Sequence, residues 1–361
     1  MKRIVFTVTN DLTYDQRMQR ICGSLAAAGY DITLVGFLKK RSVKIEQENY
    51  RQVRLRVFFR KGKFFYLEYN FRLFFWLLFK KYEIYCGIDL DTLLPVFLNA
   101  KMKGKPVVYD AHEFFTELPE IVDRPGIKKA WFVLEKFLLP KIKYNYTVSE
   151  TIALALSAKH KQQFEVIRNV PVLKDANVDI EKKNFIIYQG ALNKGRGIEN
   201  LMQAMADIDC PLYIAGEGDL SEEMRKLANT FPHKEKIRFL GYVRPEELKK
   251  YTLKARLGVN FVENLGLSYY YSLSNKFFDY IHAAIPQVTM NFPEYASLNA
   301  KYHVAVLIDD LQPANISQAI NKLLQDDSLY ATLAGNTIKA KTELNWQVEE
   351  KKLITFYNNI G

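Results

Sequence analysis

Two series of short apolar runs, separated by helical patterns, constrain most strongly what this chain can fold into. Each run is only a few residues long, which is typical of a buried strand. Strands that alternate with helices in this way indicate a parallel, doubly wound sheet. The first series predicts strands at residues 4–8, 32–36, 53–58, 84–88, 106–109, 144–148 and 165–167. The second series predicts strands at residues 185–189, 212–215, 237–240, 257–261, 287–290 and 304–308.

Each series accounts for one domain. A chain of 361 residues is long enough for two domains of ordinary size. We therefore predict an α/β architecture of two Rossmann-like doubly wound domains that face a cleft. The first domain covers residues 1–168 and the second covers residues 169–340, with a polar linker at 173–184. A final helix within residues 341–361 can pack back on the first domain.

Composition excludes several classes of protein. The chain is 48% hydrophobic, so it is globular rather than disordered. The cysteines Cys22, Cys86 and Cys210 lack metal-ligand spacing, which favours a reducing compartment and predicts no metal site. No apolar run approaches the roughly 18 residues of a membrane span, and the first run is too short for a signal peptide. These features predict a cytoplasmic protein.

Positive charge is concentrated in the first half of the chain. Residues 1–165 contain 28 Lys and Arg against 17 Asp and Glu, a net charge of 28 − 17 = +11. Residues 166–361 contain 23 of each kind and are neutral. The whole excess of +11 therefore lies in the first half. Such asymmetry indicates that one domain meets an anionic surface or ligand.

Residues 56–85 combine aromatic and basic side chains, which suits a membrane interface with anionic head groups. An ordinary core helix at residues 69–79 with a basic outer face remains the alternative. Binding of single-stranded nucleic acid is a third possibility, but the chain lacks the pattern of a nucleic-acid module, so we predict no nucleic-acid partner. The aromatic residues are Phe58, Phe59, Phe64, Phe65, Tyr66, Tyr69, Phe71, Phe74, Phe75, Trp76 and Phe79. The basic residues are Arg60, Lys61, Lys63, Arg72, Lys80 and Lys81.

The stretch 257–290 predicts a strand, a polar loop, a helix and another strand. Ser274 is a candidate N-cap of the helix, and Pro286 ends it. Ligands bind at the carboxyl ends of strands in parallel sheets, and a helix N-terminus attracts phosphate. A carboxylate one turn into the helix can accept hydrogen bonds from ribose hydroxyls. The candidate ligands for a nucleoside diphosphate are Glu263, Gly266, Asn275, Lys276 and Asp279.

Four motifs in the second half resemble the nucleotide-binding domain of GT-B glycosyltransferases, especially glycosyltransferase family 4 (group 1). Residues 188–198 resemble its phosphate loop. In that loop a glycine comes first, here Gly190, and a basic residue stands directly before a later glycine, here Arg196. Residues 212–218 resemble an apolar strand that ends in G-x-G, with Gly216. Residues 239–243 resemble the next strand and turn. Residues 263–286 resemble the family's two-acid motif.

The resemblance implies an enzyme, a hexosyltransferase of class EC 2.4. It would move a sugar from a nucleoside diphosphate sugar to an acceptor with retention of configuration, using neither metal nor cofactor. Arg196 and Lys276 would stabilise the leaving diphosphate, where charge develops in the transition state. The implied catalytic residues are His112, Glu263, Arg196 and Lys276, where His112 follows a strand and would face the sugar hydroxyls. The implied donor-binding residues are Gly190, Arg196, Gly216, Glu263, Gly266, Asn275, Lys276 and Asp279, with Asp279 on the ribose.

The sequence departs from the family pattern at three places, one of which is the first loop, where the family's glycine pair near Asn10 and Asp11 is missing. Ala191 stands where the family usually has an arginine, so Arg196 becomes the main cation of the loop and Lys276 assists it. Asp279 stands where a glutamate is usual, and residues 268–274 are inserted before it.

Three functions remain open at this point. The favoured enzyme acts in polysaccharide or glycoconjugate biosynthesis, on a lipid-linked acceptor or a surface glycan precursor. It would be peripheral on the inner face of the plasma membrane, where the basic first half meets anionic lipid. The alternatives are a nucleotide-sugar epimerase of the same fold and a non-catalytic peripheral membrane protein.

Overall fold

Two parallel β-sheets organise the chain. The computed structural model describes residues 1–13, 15–40, 42–174 and 181–361. Met1–Asn169 and Val348–Gly361 form one compact unit, and Val170–Gln347 forms the other. Each unit contains one sheet, so the predicted α/β architecture of two doubly wound sheets is confirmed.

The first sheet has seven strands in the order β3-β2-β1-β4-β5-β6-β7, and the second has six in the order β10-β9-β8-β11-β12-β13. The first strands are β1 (Arg3–Thr7), β2 (Asp31–Leu38), β3 (Arg51–Arg56), β4 (Ile84–Ile88), β5 (Val107–Ala111), β6 (Tyr144–Thr147) and β7 (Glu165–Val166). The others are β8 (Ile186–Gln189), β9 (Leu212–Ala215), β10 (Ile237–Gly241), β11 (Leu257–Asn260), β12 (Gln287–Met290) and β13 (Ala305–Ile308).

Helices join the strands. Those of the first unit are α1 (Gln16–Ala27), α2 (Gly62–Leu78), α3 (Asp89–Met102), α4 (Pro119–Val122), α5 (Pro125–Leu138) and α6 (Glu150–His160). Those that follow are α7 (Ile198–Ala204), α8 (Ser221–Ala228), α9 (Pro245–Lys254), α10 (Leu267–Tyr270), α11 (Asn275–His282), α12 (Pro293–Tyr302), α13 (Pro313–Gln325), α14 (Asp327–Ala340) and α15 (Trp346–Asn358). Ring contacts place Phe356 and Tyr357 of α15 against Tyr146 of β6, with centroids 5.1 and 6.3 Å apart.

Every predicted strand has a counterpart in the structure, with bounds that differ by at most two residues. The reason is burial, since β4 and β8 are buried along their whole length and allow no exposed residue in the run. The sequence also predicts a first helix from about Tyr14 to Ala28, where the structure has α1 at Gln16–Ala27. Tyr14 lies outside the described residues. Asp15 caps α1 by accepting a hydrogen bond from the Met18 N–H at 3.0 Å. Part of the predicted linker, residues 175–180, also lies outside the described residues.

The order of strands fixes where a ligand can bind in each sheet. Chain order reverses between β1 and β4 in the first sheet and between β8 and β11 in the second. In open parallel sheets the loops at the carboxyl ends of such neighbouring strands diverge and leave a crevice. The loops after β5, β8, β9 and β11, together with helix α11, carry the residues that the sequence singled out.

Candidate functional site

Two glycine loops lie against each other at the carboxyl edge of the second sheet. Gly190 follows β8 with φ of 141°, and Gly216 follows β9 with φ of 148°. A Cβ at Gly216 would lie 1.9 Å from the carbonyl oxygen of Gly190, so only glycine fits there. Gly216 therefore allows the close approach of the two loops, and the structure assigns it this packing role.

Lys276 lies on the first turn of α11 and reaches back to the loop after β8. Its Nζ lies 4.3 Å from the centroid of the Tyr188 ring and 3.4 Å from where a Cβ on Gly190 would be. Only 8% of the residue is exposed. In the part of the chain that the structure describes, no carboxylate forms an ion pair with this lysine. A buried cation at this position is poorly stabilised until an anion lies beside it.

The electrostatic environment of Lys276 also disfavours its charged form in the absence of an anion. Burial and the nearby positive charge of Arg196 together lower the pKa of the Lys276 ammonium to about 7. The guanidinium of Arg196 stacks on the Tyr269 ring, with Cζ 4.8 Å from its centroid. The structure therefore distinguishes the two cations by their burial. Lys276 is held in the buried position, and Arg196 is half-buried beside it.

Asp279 lies one turn further along α11 and is held by a side chain that sequence reasoning missed. Gln189, the last residue of β8, donates from Nε2 to Asp279 Oδ2 at 2.8 Å. Gln189 in turn accepts from the Thr252 hydroxyl at 2.7 Å. Its place at the carboxyl end of a central strand was the signal that could have identified it.

The loop after β11 brings the remaining predicted residues to the same edge. The backbone N–H of Glu263 donates to the carbonyl oxygen of Gly195 at 2.9 Å, next to Arg196. Gly266 adopts φ of 141° immediately before the short helix α10. Asn275 is the first, exposed residue of α11. The structure thus places all eight predicted donor-binding residues in one unit, on neighbouring loops and on helix α11. The loop residues are Gly190, Arg196, Gly216, Glu263 and Gly266, and those of α11 are Asn275, Lys276 and Asp279.

The predicted cap of α11 is correct in position and wrong in hydrogen bonding. Ser274 precedes the helix in an extended conformation. Its hydroxyl donates to Asn260 Oδ1 at 2.8 Å and makes no bond to the first turn of the helix. The N–H groups of that turn are therefore left without this capping acceptor, at the same end of the helix as Lys276.

His112 belongs to the first unit, where it follows β5. Its backbone N–H donates to Asp89 Oδ1 at 2.9 Å, and its Nε2 lies 3.4 Å from Asp110 Oδ2. Burial lowers the pKa of His112, but the Asp110 carboxylate outweighs it, so the pKa is raised overall. Asp110 also forms a fully buried ion pair with Arg17, at 2.8 Å.

In the sequence, Asp89 and Asp91 lie at another strand end and have the Asp-x-Asp spacing of a donor-metal site. Asp89 follows β4 with φ of 53°, a left-handed conformation that is uncommon outside glycine. Burial raises the pKa of Asp89 to about 8 and that of Asp91 to about 7. Asp91 accepts a hydrogen bond from the Thr9 hydroxyl at 2.5 Å. Within the described ranges, no three His, Cys, Asp or Glu side chains are arranged to hold a metal ion.

Comparison with solved structures identifies the architecture. Sucrose-phosphate synthase of Thermosynechococcus elongatus superposes with a TM-score of 0.79 at 15% identity, covering 99% of this chain and 98% of that one. HepE of Anabaena, in complex with UDP and glucose, superposes with a TM-score of 0.76 at 12% identity, covering 99% and 100%. WaaG, a glycosyltransferase involved in lipopolysaccharide biosynthesis, has a TM-score of 0.68 at 12% identity, covering 98% and 99%. The fold is therefore that of two-domain GT-B proteins.

A family model gives the class of the second unit. Residues 169–340 match the family described as glycosyl transferases group 1. No curated protein matches the sequence. The match covers almost the whole of the second unit and supports a glycosyltransferase.

Proposed function

We propose that this glycosyltransferase belongs to family 4 and moves a hexose from a nucleoside diphosphate sugar to an acceptor, with retention of configuration and without a metal. The observation that supports the nucleoside diphosphate donor most directly is the buried ammonium of Lys276 against the Gly190 loop, which no carboxylate of the described residues neutralises. The solved complexes of HepE with UDP and with UDP-glucose support the same class of donor.

The chain's own side chains suggest a division of roles. Lys276 and Arg196 would balance the charge that develops on the leaving diphosphate. Asp279 has one carboxylate oxygen tied to Gln189, which leaves the carboxylate oriented to accept from ribose hydroxyls. Glu263 would contact the donor sugar or its phosphate, and His112 would contact sugar hydroxyls.

A panel of nucleoside diphosphate sugars tests the proposal. A ligand present at about 100 times its Kd stabilises the folded protein by about 2.7 kcal/mol, so the true donor should raise Tm measurably. Nuclear magnetic resonance of the product then gives the anomeric configuration. If no nucleoside diphosphate sugar in the panel raises Tm, the proposed donor is wrong.

An epimerase is the second candidate, because a structure assigned as a UDP-N-acetylglucosamine 2-epimerase from Listeria monocytogenes shares the fold. It superposes with a TM-score of 0.66 at 11% identity. Incubation with each donor and no acceptor separates the two functions. An epimerase converts the sugar under these conditions, whereas we expect the donor to remain unchanged apart from slow hydrolysis.

Activity is expected to survive EDTA. The Asp-x-Asp pattern that directly follows a strand is Asp89-Leu90-Asp91, but Asp89 accepts from the His112 N–H and Asp91 from the Thr9 hydroxyl. A transfer assay with and without EDTA measures this. The proposal would be contradicted if transfer strictly required Mg²⁺ or Mn²⁺ and if Asp91→Asn abolished this metal-dependent activity. The donor site would then lie in the first unit.

Nucleoside diphosphate binding is expected to take up a proton and to weaken as pH rises above 7. The pKa of Lys276 is lowered to about 7 in the free protein, and an adjacent phosphate favours the charged ammonium and raises that pKa. Between the two values, binding must protonate the lysine. Calorimetry at about pH 8 in buffers of different ionisation enthalpy counts the protons. In the Lys276→Met control, the proton uptake that belongs to this lysine should be absent. If the wild-type protein takes up no proton on binding, the assignment is wrong.

We also propose that the first unit docks on an anionic membrane, on the cytoplasmic face of the plasma membrane, where the acceptor would be lipid-linked. Helix α2 is apolar on both faces. It buries Phe65, Tyr69, Leu73 and Leu77 in the core. The outer face exposes Phe64, Leu67, Phe71 and Phe75, which are 53%, 66%, 65% and 43% accessible. The alternative of a core helix with a basic outer face is therefore wrong about that face.

Helix α5, which sequence reasoning did not single out, adds to this exposed apolar surface. It exposes Ile127, Phe132, Val133 and Phe137, beside the basic Lys129 and Lys136. The rings of Tyr66 and Trp131 meet at 5.7 Å and join the two helices. Exposed aromatic residues flanked by cations are typical of interfacial membrane binding. Among the described helices, none has the length and apolar character of a membrane span.

A further inference from the structure

A groove opens beside α2, at the free edge of the first sheet. It has a volume of about 350 Å³ and lies between the end of β3, which is the edge strand, and the outer side of α2. Its lining residues are Leu55, Arg56, Phe71, Arg72, Phe75 and Trp76. The groove thus combines four apolar side chains with two guanidinium groups.

The two arginines differ in how they are held. Arg72 Nε pairs with Glu68 Oε1 at 2.7 Å, and its guanidinium lies 5.1 Å from the Phe58 ring centroid. Arg56, the last residue of β3, is exposed, and no ion pair holds it in the described part of the chain. Glu68 therefore balances one of the two positive charges. The groove keeps one uncompensated guanidinium next to apolar surface.

We propose that this groove binds one anionic phospholipid. Arg56 would bind the phosphodiester, since a guanidinium matches the geometry of phosphate oxygens. One acyl chain would lie along Phe71, Phe75 and Trp76. Phe71 and Phe75 also belong to the exposed apolar face of α2, so the acyl chain would pass directly from the groove to the bilayer interior. The inference rests on the proposed membrane docking and adds a specific lipid site to it.

General attraction to a charged bilayer would not create such a site. Surface attraction depends on the total anionic charge and treats all lipids of that charge alike. A groove that holds one lipid would instead bring a particular acyl chain close to Trp76. That difference can be measured at constant surface charge.

Tryptophan quenching by brominated lipids tests the proposal. The chain has three tryptophans, and Trp131→Phe with Trp346→Phe leaves Trp76 as the single reporter. Two sets of vesicles contain the same proportions of phosphatidylglycerol and phosphatidylcholine, with bromine on the acyl chains of one lipid or the other. We expect quenching to be stronger when phosphatidylglycerol carries the bromine. Equal quenching at equal bromine content overturns the proposal.

A matched pair of variants assigns the effect to the groove. Arg56→Gln removes the guanidinium in the groove and is expected to raise the brominated phosphatidylglycerol concentration needed for half-quenching roughly tenfold. Arg51→Gln removes the same charge from the exposed first residue of β3, outside the groove, and is expected to change it much less. If both variants have the same effect, the arginine acts only through surface charge and the lipid site does not exist.

Two further measurements separate the possible failures. Soluble glycerol phosphate should not compete with the lipid, because it lacks the acyl chain, and full competition would make the groove a phosphate site instead. Sedimentation with the same vesicles reports docking independently. Sedimentation without preferential quenching overturns the lipid site alone, whereas a protein that does not sediment overturns both the docking surface and the site.

Discussion

Replacement of Lys276 by Met is expected to weaken nucleoside diphosphate binding by roughly ten- to hundredfold, because a charge-assisted hydrogen bond contributes about 1.5–3 kcal/mol. Methionine has a similar length and is apolar, so the buried position beside Tyr188 stays filled. The variant also removes a desolvated cation that lies close to Arg196. Without nucleotide, we therefore expect a Tm that is unchanged or higher, while nucleotide binding falls.

A loss of nucleotide affinity without a loss of Tm distinguishes a ligand-binding lysine from a structural one. Calorimetric titration with a nucleoside diphosphate and thermal unfolding of the free protein provide them. Lys322→Met, at an exposed lysine of α13 in the same unit, is the matched control and should leave both quantities unchanged. Arg196→Ala should also weaken binding. Wild-type affinity in both the Lys276 and Arg196 variants would eliminate the proposed donor site.

The position of Lys276 shows how far the sequence alone could lead. The short apolar runs were sufficient to predict the strands, because buried strands tolerate few polar residues. The motifs identified which loops carry the site. They did not show that Lys276 would be buried at Gly190, because this depends on the pairing of β8 with β11, about seventy positions apart in the chain. Arg196 and Lys276 are both cations in the predicted donor-binding stretches, and only the packing shows that Lys276 is the buried one.

The aromatic segment shows a different limit. Phe64, Leu67, Phe71 and Phe75 repeat at helical spacing, and so do Phe65, Tyr69, Leu73 and Leu77. Either set can form the buried face, since periodicity identifies stripes but not their partners. The sheet packs against the second set, where Tyr69 donates its hydroxyl to the Val8 carbonyl oxygen at 2.7 Å. The first set is left outside, and no sequence pattern distinguishes the two.

Replacement of Arg60, Lys61 and Lys63 by Ser is expected to weaken binding to anionic vesicles by roughly two orders of magnitude, since each cation near the surface contributes about 1 kcal/mol. All three residues are exposed just before or at the start of α2. Nucleotide binding should be unchanged, because the donor residues lie in the other unit. Sedimentation with phosphatidylglycerol vesicles at low salt measures the effect.

The control must remove the same charge from the other unit. Lys226, Arg244 and Lys322 are exposed in the second unit, and their replacement by Ser should leave vesicle binding nearly intact. Salt should release the wild-type protein as the charges are screened, but only in part if the exposed Phe64, Leu67 and Phe71 also insert. A wild-type protein that ignores anionic vesicles at low salt would show that the outer face of α2 serves another partner. The acceptor would then be soluble, because nothing would hold the enzyme where lipid-linked acceptors are found.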